Sequence, residues 1–253
     1  MIEWICYIAF FAFGSVLGSF YNVLGLRIPN NESVVFPSSH CPNCGHYLKW
    51  YELIPILSFI FLKGKCSNCK KKISWLYPFN EFFCGLLFVI SYYSFGLTWE
   101  LVIALVISSL LILVIASDMT YMIIPDRFTV ISSIIIIIVK LFDVGLYETF
   151  TSLLSGLLSF GLMFAIMKLG NIMFRKESLG GADIKLMFVV GLVLDPLLAL
   201  LVIVIASLIA LPSSLYIYFK NSEHVIPFGP FIVIGLLIIY FLKINITDLI
   251  SLI

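Results

Sequence analysis

The number and length of its apolar runs restrict this chain more than any other feature. Residues 2–26, 80–97, 99–117, 124–142, 148–173, 179–194, 196–219 and 226–244 are predominantly apolar. A helix that crosses the hydrocarbon of a bilayer needs about 20 such residues. The runs exceed the ~10-residue alternating strands of a membrane barrel, so they predict helices. Only 11% of residues are charged and mean hydropathy is +1.14, whereas soluble domains are about a quarter charged. The expected fold is an all-α polytopic membrane protein with about eight transmembrane helices and a small polar loop domain. The run 2–26 leads into Arg27-Ile28-Pro29, not a small-residue cleavage site, and is read as a retained span rather than a signal peptide.

Charge placement orients the spans. The polar segment after the first run carries Arg27, Lys49, Lys63, Lys65, Lys70, Lys71 and Lys72. Basic residues in short loops mark the cytoplasmic side, which puts the N-terminus outside. Alternating the spans then places Arg127, Lys168, Arg175, Lys176, Lys185 and Lys220 at or near the inner side, and only Lys140 and Lys243 toward the outer side. Glu100, Asp143, Glu148, Asp195 and Asp248 also fall outside. The run 179–194 would reach only about 24 Å as a helix. Joined through Asp195-Pro196 into one kinked helix it would give seven spans, but Lys185 and Lys220 would then lie on opposite sides, so eight is favoured. The isoleucine run 134–138 reads as lipid-facing helix.

Cys6 and Cys84 fall within spans and read as buried apolar thiols. The other four cysteines form two pairs, Cys41-Pro42-Asn43-Cys44 and Cys66-Ser67-Asn68-Cys69. Two CxxC pairs separated by roughly 20 residues have the spacing of a four-thiolate zinc site. Disulfides or free thiols are the alternatives, and a reducing cytosol disfavours stable disulfides. His40 and His46 are near enough to replace one cysteine. Four thiolates leave no open position on the metal, so zinc here would be structural.

Two acidic stretches adjoin the runs. Asp118 follows 99–117 directly, and Asp183 sits in Gly180-Gly181-Ala182-Asp183. The topology places both near the cytoplasmic face. Either could simply solvate a helix end. Held together, they would share a proton, so that one activates water while the other stabilises the developing oxyanion. Asp126, between Pro125 and Arg127, reads as a helix cap or a local ion pair. Lys185 would tune the site or anchor a helix.

The order of motifs along the chain resembles the type IV prepilin peptidases, membrane aspartic proteases with a Gly-x-Gly-Asp type motif. It runs from Gly18-Ser19-Phe20-Tyr21-Asn22 and Arg27-Ile28-Pro29 through both cysteine pairs and Tyr51-Glu52-Leu53-Ile54-Pro55. It continues with Trp75-Leu76-Tyr77-Pro78-Phe79-Asn80-Glu81, then Asp118 with Ile124-Pro125-Asp126, Gly180 to Lys185, and Pro227-Phe228-Gly229-Pro230. The resemblance implies removal of a short basic leader from prepilin or pseudopilin precursors at the inner face of a bacterial cytoplasmic membrane, with Asp118 and Asp183 catalytic. It also implies N-methylation of the new terminus from S-adenosylmethionine, with Glu81 linked to that second activity. Ala182 stands where many members have glycine. No glycine-rich phosphate fingerprint is present, and methylation is implied by the resemblance alone. The expected division is a first span (1–26), a cysteine-rich cytoplasmic segment (27–79) and a membrane peptidase unit (80–253). The expected partners are precursor proteins and the bilayer, with no nucleic acid. The competing readings are a peptidase without methyltransferase activity, a zinc-loop scaffold, and a proton-coupled transporter. The clustering of acids at one face disfavours the transporter, as does the lack of inverted-repeat symmetry.

Overall fold

The computed structural model describes residues 2–174, 180–219 and 226–244. Arg175, Lys176, Lys220 and Asp248 lie outside the described residues. Each apolar run becomes one helix. These are α1 (Ile2–Arg27), α3 (Leu76–Phe95), α4 (Trp99–Tyr121), α5 (Asp126–Asp143), α6 (Gly145–Phe174), α7 (Gly181–Val193), α8 (Pro196–Phe219) and α9 (Gly229–Phe241). The cysteine-rich segment adds a 3-10 turn (Trp50–Leu53) and the short α2 (Leu57–Phe61). Among the described residues there is no strand beyond two isolated bridges, His40 with Tyr47 and Lys65 with Lys72.

Local chemistry sets the breaks. Gly96, at φ +60°, ends α3, and the Thr98 hydroxyl caps α4 by accepting from the Leu101 amide. Met122 closes α4 in the left-handed region. Gly145 turns the chain at φ +84° between α5 and α6. At Leu194 the backbone is extended, and Pro196 opens α8, so α7 and α8 are separate helices rather than one kinked helix. Pro suits a first helical position because its missing N–H would be unpaired there.

Of these helices, α1, α4, α6 and α8 are long and apolar enough to cross a membrane. In α3 the polar Asn80 and Glu81 lower the hydropathy, and α5 carries four charges at its ends. Helices α7 and α9 have 13 residues each, about 20 Å. The most apolar stretch of α4 is 72% buried, against 17, 22 and 28% in the other three. That helix is the axis of the bundle. Leu111 and Val114 from it meet Met187 and Val190 of α7 and Ile232 and Leu236 of α9 in one core. The isoleucine run on α5 is not uniformly lipid-facing: Ile134, Ile135 and Ile138 are exposed, but Ile136 is fully buried. Cys84 is buried as expected, while Cys6 is half-buried.

Helices α1 and α3 are joined by small residues. A Cβ on Gly18 would stand 2.9 Å from the Asn80 carbonyl, and one on Gly14 would stand 2.9 Å from the Cys84 carbonyl. Across the interface, a Cβ on Gly85 would fall 2.6 Å from Ser15 Oγ and 2.8 Å from the Phe11 carbonyl. Spacing of four along one helix is the small-residue device that lets apolar helices approach closely. Gly85→Val should therefore lower the thermal stability of the detergent-solubilised protein by about 1–3 kcal/mol, the usual cost of overpacking. Gly161→Ala, where nothing lies within 4 Å, should leave the melting curve unchanged or slightly raised.

Candidate active site

Asp118 lies in the last turn of α4 and Asp183 in the first turn of α7, both buried. The Asp118 carboxylate accepts a hydrogen bond from the amide of Gly229, the first residue of α9. A Cβ on Gly229 would stand 3.0 Å from Asp118 Oδ2 and 2.5 Å from Ile124 Cδ1. Only glycine lets that helix end come so close. At Asp183 the contacts are reciprocal. Its amide donates to the Gly180 carbonyl over 3.2 Å, and its carboxylate accepts from the Gly180 amide. This is the logic of a capping box, with an acidic third residue reaching back to the cap. The two carboxylates lie near enough to interact electrostatically. Two buried acids brought together from separate helices are the arrangement that acid–base chemistry needs.

Asp126 is separate from this pair. It is exposed, begins α5 and forms an ion pair with Lys185 of α7. Its partner is thus on the neighbouring helix α7 rather than the adjacent Arg127. The pair ties the start of α5 to the helix that carries Asp183.

The four cysteines of the loop converge. Their sulfurs all lie within 4.8 Å of one another. Cys41 Sγ is 3.8 Å from Cys69 Sγ, and Cys44 Sγ is 3.9 Å from Cys66 Sγ. Disulfides need about 2.05 Å, whereas a tetrahedron of 2.3 Å zinc–sulfur bonds has edges of roughly 3.8 Å. The two knuckles are built alike. The Cys41 amide donates to the His46 carbonyl and the Cys66 amide to the Lys71 carbonyl. Asn43 Nδ2 donates to Cys69 Sγ and Asn68 Nδ2 to Cys44 Sγ, so each knuckle supports the other's thiol. The Lys71 amide, with help from Asn43, pulls the Cys69 thiol down to about 6, and the Asn43 and Cys44 amides lower Cys41. Cys44 moves the other way: the His46 amide favours its thiolate, but burial and the neighbouring thiols outweigh it. Four thiols crowded this way fit a soft divalent cation.

Neither histidine joins the sulfurs. His40 Nδ1 lies 3.0 Å from the Ser38 carbonyl, and His46 Nε2 lies 3.2 Å from Glu52 Oε2. Burial opposes the Glu52 charge, yet the Lys49 amide, Ser67 and His46 hold its carboxylate below the usual range.

Glu81 is buried on α3. Its Oε2 accepts from the Ile56 amide over 2.7 Å, and the Ser19 hydroxyl of α1 also bonds to it. Ile56 has φ +62° and ψ −52°, and the Leu57 amide donates back to the Pro55 carbonyl over 2.5 Å. That is a γ-turn of the rare positive-φ kind, costly for a β-branched residue. Beside it, Asn80 Nδ2 donates to Asn22 Oδ1 over 2.7 Å, and Asn22 Nδ2 donates to the Tyr77 carbonyl. Sequence reasoning singled out Glu81 but missed its partners Ser19 and Ile56. It also missed that Gly229 serves Asp118. A Gly-Pro pair opening an apolar run is the signal that could have pointed to a helix N-terminus aimed at an acid.

Two family models match the chain: the bacterial peptidase A24 N-terminal domain over residues 12–95, and the type IV leader peptidase family over residues 105–215. The prepilin leader peptidase/N-methyltransferase of Bacillus subtilis (strain 168) is 39% identical over 73% of this chain and 72% of that protein. The Pseudomonas aeruginosa protein of the same name is 28% identical over 88% of this chain and 85% of its own length. The Escherichia coli type 4 prepilin-like proteins leader peptide-processing enzyme is 28% identical over 88% of each. No solved structure matches. With both halves matched in order, the chain belongs to the type IV leader peptidase family.

Proposed function

We propose that Asp118 and Asp183 are the catalytic pair of a leader peptidase that cuts prepilin or pseudopilin precursors, and that the same protein methylates the new N-terminus. The observation that carries the dyad is the convergence of two buried carboxylates from the ends of separate helices, each held by a backbone amide, with Asp183 within electrostatic reach of Asp118. One ionised carboxylate takes a proton from water as the oxygen attacks the scissile carbonyl. The protonated partner donates to the developing oxyanion; on collapse the first carboxyl passes the proton it took from water to the scissile nitrogen, and the C–N bond breaks to release the amine of the mature chain. Family membership and the names of the relatives support cleavage with methylation and leave no ground for the transporter.

In this reading Cys41, Cys44, Cys66 and Cys69 hold a structural zinc ion, for which their spacing and amide-bonded thiols are suited. The methyl donor is S-adenosylmethionine. Glu81 serves methylation as a positioning residue, by holding the Ile56 turn against α1 and α3. Helix α1 and helices α3 to α9, the short α7 and α9 included, cross the bacterial cytoplasmic membrane, with the N-terminus outside and the dyad and cysteines inside. Supporting this, Asp118, Asp126, Lys185 and Gly229 gather at one end of the bundle. At the other end Lys243 pairs with Glu100, and Lys140 bonds to Ser152. The units are the first span (1–26), the cysteine segment (27–79) and the peptidase unit (80–253), with α3 serving both of the latter.

Four outcomes test this. Asp118→Asn or Asp183→Asn should each reduce precursor cleavage by about 10³-fold, within the range for an acid–base group, without changing zinc content or melting temperature; full cleavage by either would remove the dyad. Cys41→Ser with Cys44→Ser should abolish bound zinc by elemental analysis, and unchanged metal would refute the site. Mass spectrometry of the mature N-terminus should find a product about 14 Da heavier than cleavage alone gives. With Glu81→Ala the product should be cleaved but unmethylated; normal methylation there would detach Glu81 from the second activity.

A further inference from the structure

A groove of about 630 Å³ lies where the cysteine segment meets the first turns of α3. Its lining includes Lys63, Lys65 and Lys72. Lys65 and Lys72 face each other across an antiparallel bridge, a placement that costs stability for like charges unless an anion sits between them. Lys63 is held nearby in the left-handed region. Among the described residues none of the three has an ion-pair partner, and no acid lines the groove. The rest of the lining is apolar: Phe59 and Trp75, whose ring centroids are 4.8 Å apart, with Phe79 and Phe82 of α3. Trp75, Phe79 and Phe82 are exposed. The wall is firm: a Cβ on Gly64 would stand 2.9 Å from the Phe59 ring, and the Ile73 amide donates to the Gly64 carbonyl.

The level of the groove follows from packing. Helix α3 pairs with α1, and Asn22, five residues before α1 ends, bonds to the Tyr77 carbonyl. The groove therefore sits where α1 leaves the bilayer, at headgroup height. Its volume suits a ligand of 300–1,000 Å³ pockets. We infer that it binds one anionic phospholipid, with the phosphate among Lys63, Lys65 and Lys72 and an acyl chain laid over Phe79 and Phe82. The inference rests on α1 crossing the membrane and is independent of the catalytic assignment. A basic leader peptide is repelled by the three lysines. S-adenosylmethionine brings a cationic sulfonium and hydroxyls that this acid-free, mostly apolar wall does not match.

The full chain, purified in detergent, is offered dioleoyl phosphatidylglycerol and dioleoyl phosphatidylcholine in equal amounts and weighed by native mass spectrometry. Phosphatidylglycerol should be retained about tenfold over phosphatidylcholine, since each lysine near an anionic headgroup contributes appreciably. Replacing Lys63→Gln, Lys65→Gln and Lys72→Gln together should bring the ratio to within about twofold, while the arginine versions of the same three changes retain the preference. Zinc content and precursor cleavage report separately that the variants are folded and that the dyad works. Equal retention of the two lipids by the unaltered protein overturns the inference. So does a preference that survives the glutamine changes, displacement of the lipid by S-adenosylmethionine, or equal competition by free glycerol phosphate.

Discussion

The carboxylate of Asp118 sits at the wrong end of its own helix. The last turn of α4 presents unpaired carbonyls and the negative pole of the helix dipole, and α4 is the most enclosed of the four helices long enough to cross a membrane. A buried charge without compensation costs several kcal/mol. Compensation comes from another helix, whose opening Gly229 amide points at the acid. That requirement fixes how α9 meets α4, and the fit against Ile124 leaves no room for a side chain on Gly229. Asp183 has the easier position, in the first turn of α7, where the dipole favours a negative charge. The two acids thus meet with opposite polarity around them, which makes them inequivalent before any substrate arrives.

The elements were legible because apolar run length is a local property. Each run from 2–26 to 226–244 is a helix, and the breaks at Gly96, Gly145 and Asp195-Pro196 fall where backbone chemistry places them. The cysteine ligand set was equally readable, since CxxC spacing nearly dictates the knuckle. Asp118 and Asp183 could be picked out as costly acids, but sequence spacing carries no information on which distant amide would satisfy each. The same holds for Glu81. Its partners Ser19 and Ile56 lie 62 and 25 residues away, and a positive-φ isoleucine has no propensity signature. Ile136 was misjudged because a run of identical residues hides the helical face that turns inward.

The cysteine segment has almost no apolar core to share with the bundle, and its exposed aromatic residues point away from compact folding on its own. Its order comes from covalent geometry and polar ties. The two knuckles exchange asparagine hydrogen bonds, Glu52 sits under one of them, and Glu81 grips the Ile56 amide from the membrane helix. The last tie is the only one of these that crosses from the segment to the bundle, and it is made to a strained turn. Strain of that kind persists only where its surroundings fix it.

The glycine contact between α1 and α3 has a further meaning for assembly. The segment between those helices leaves one and returns to the other at neighbouring points, because Gly14, Gly18 and Gly85 bring their axes together. Its ends are therefore joined by the helical hairpin before any thiol is engaged. Closing a loop costs entropy that grows only slowly with length, and here most of it is met by lipid-embedded packing. Under the proposed zinc reading, a cation would have only to align two short knuckles rather than to gather a free chain. Metal capture would then be the final, nearly local step of a process begun by helix packing, and a lesion at Gly18, far from any sulfur, would be felt first as a weakened hold on the ion.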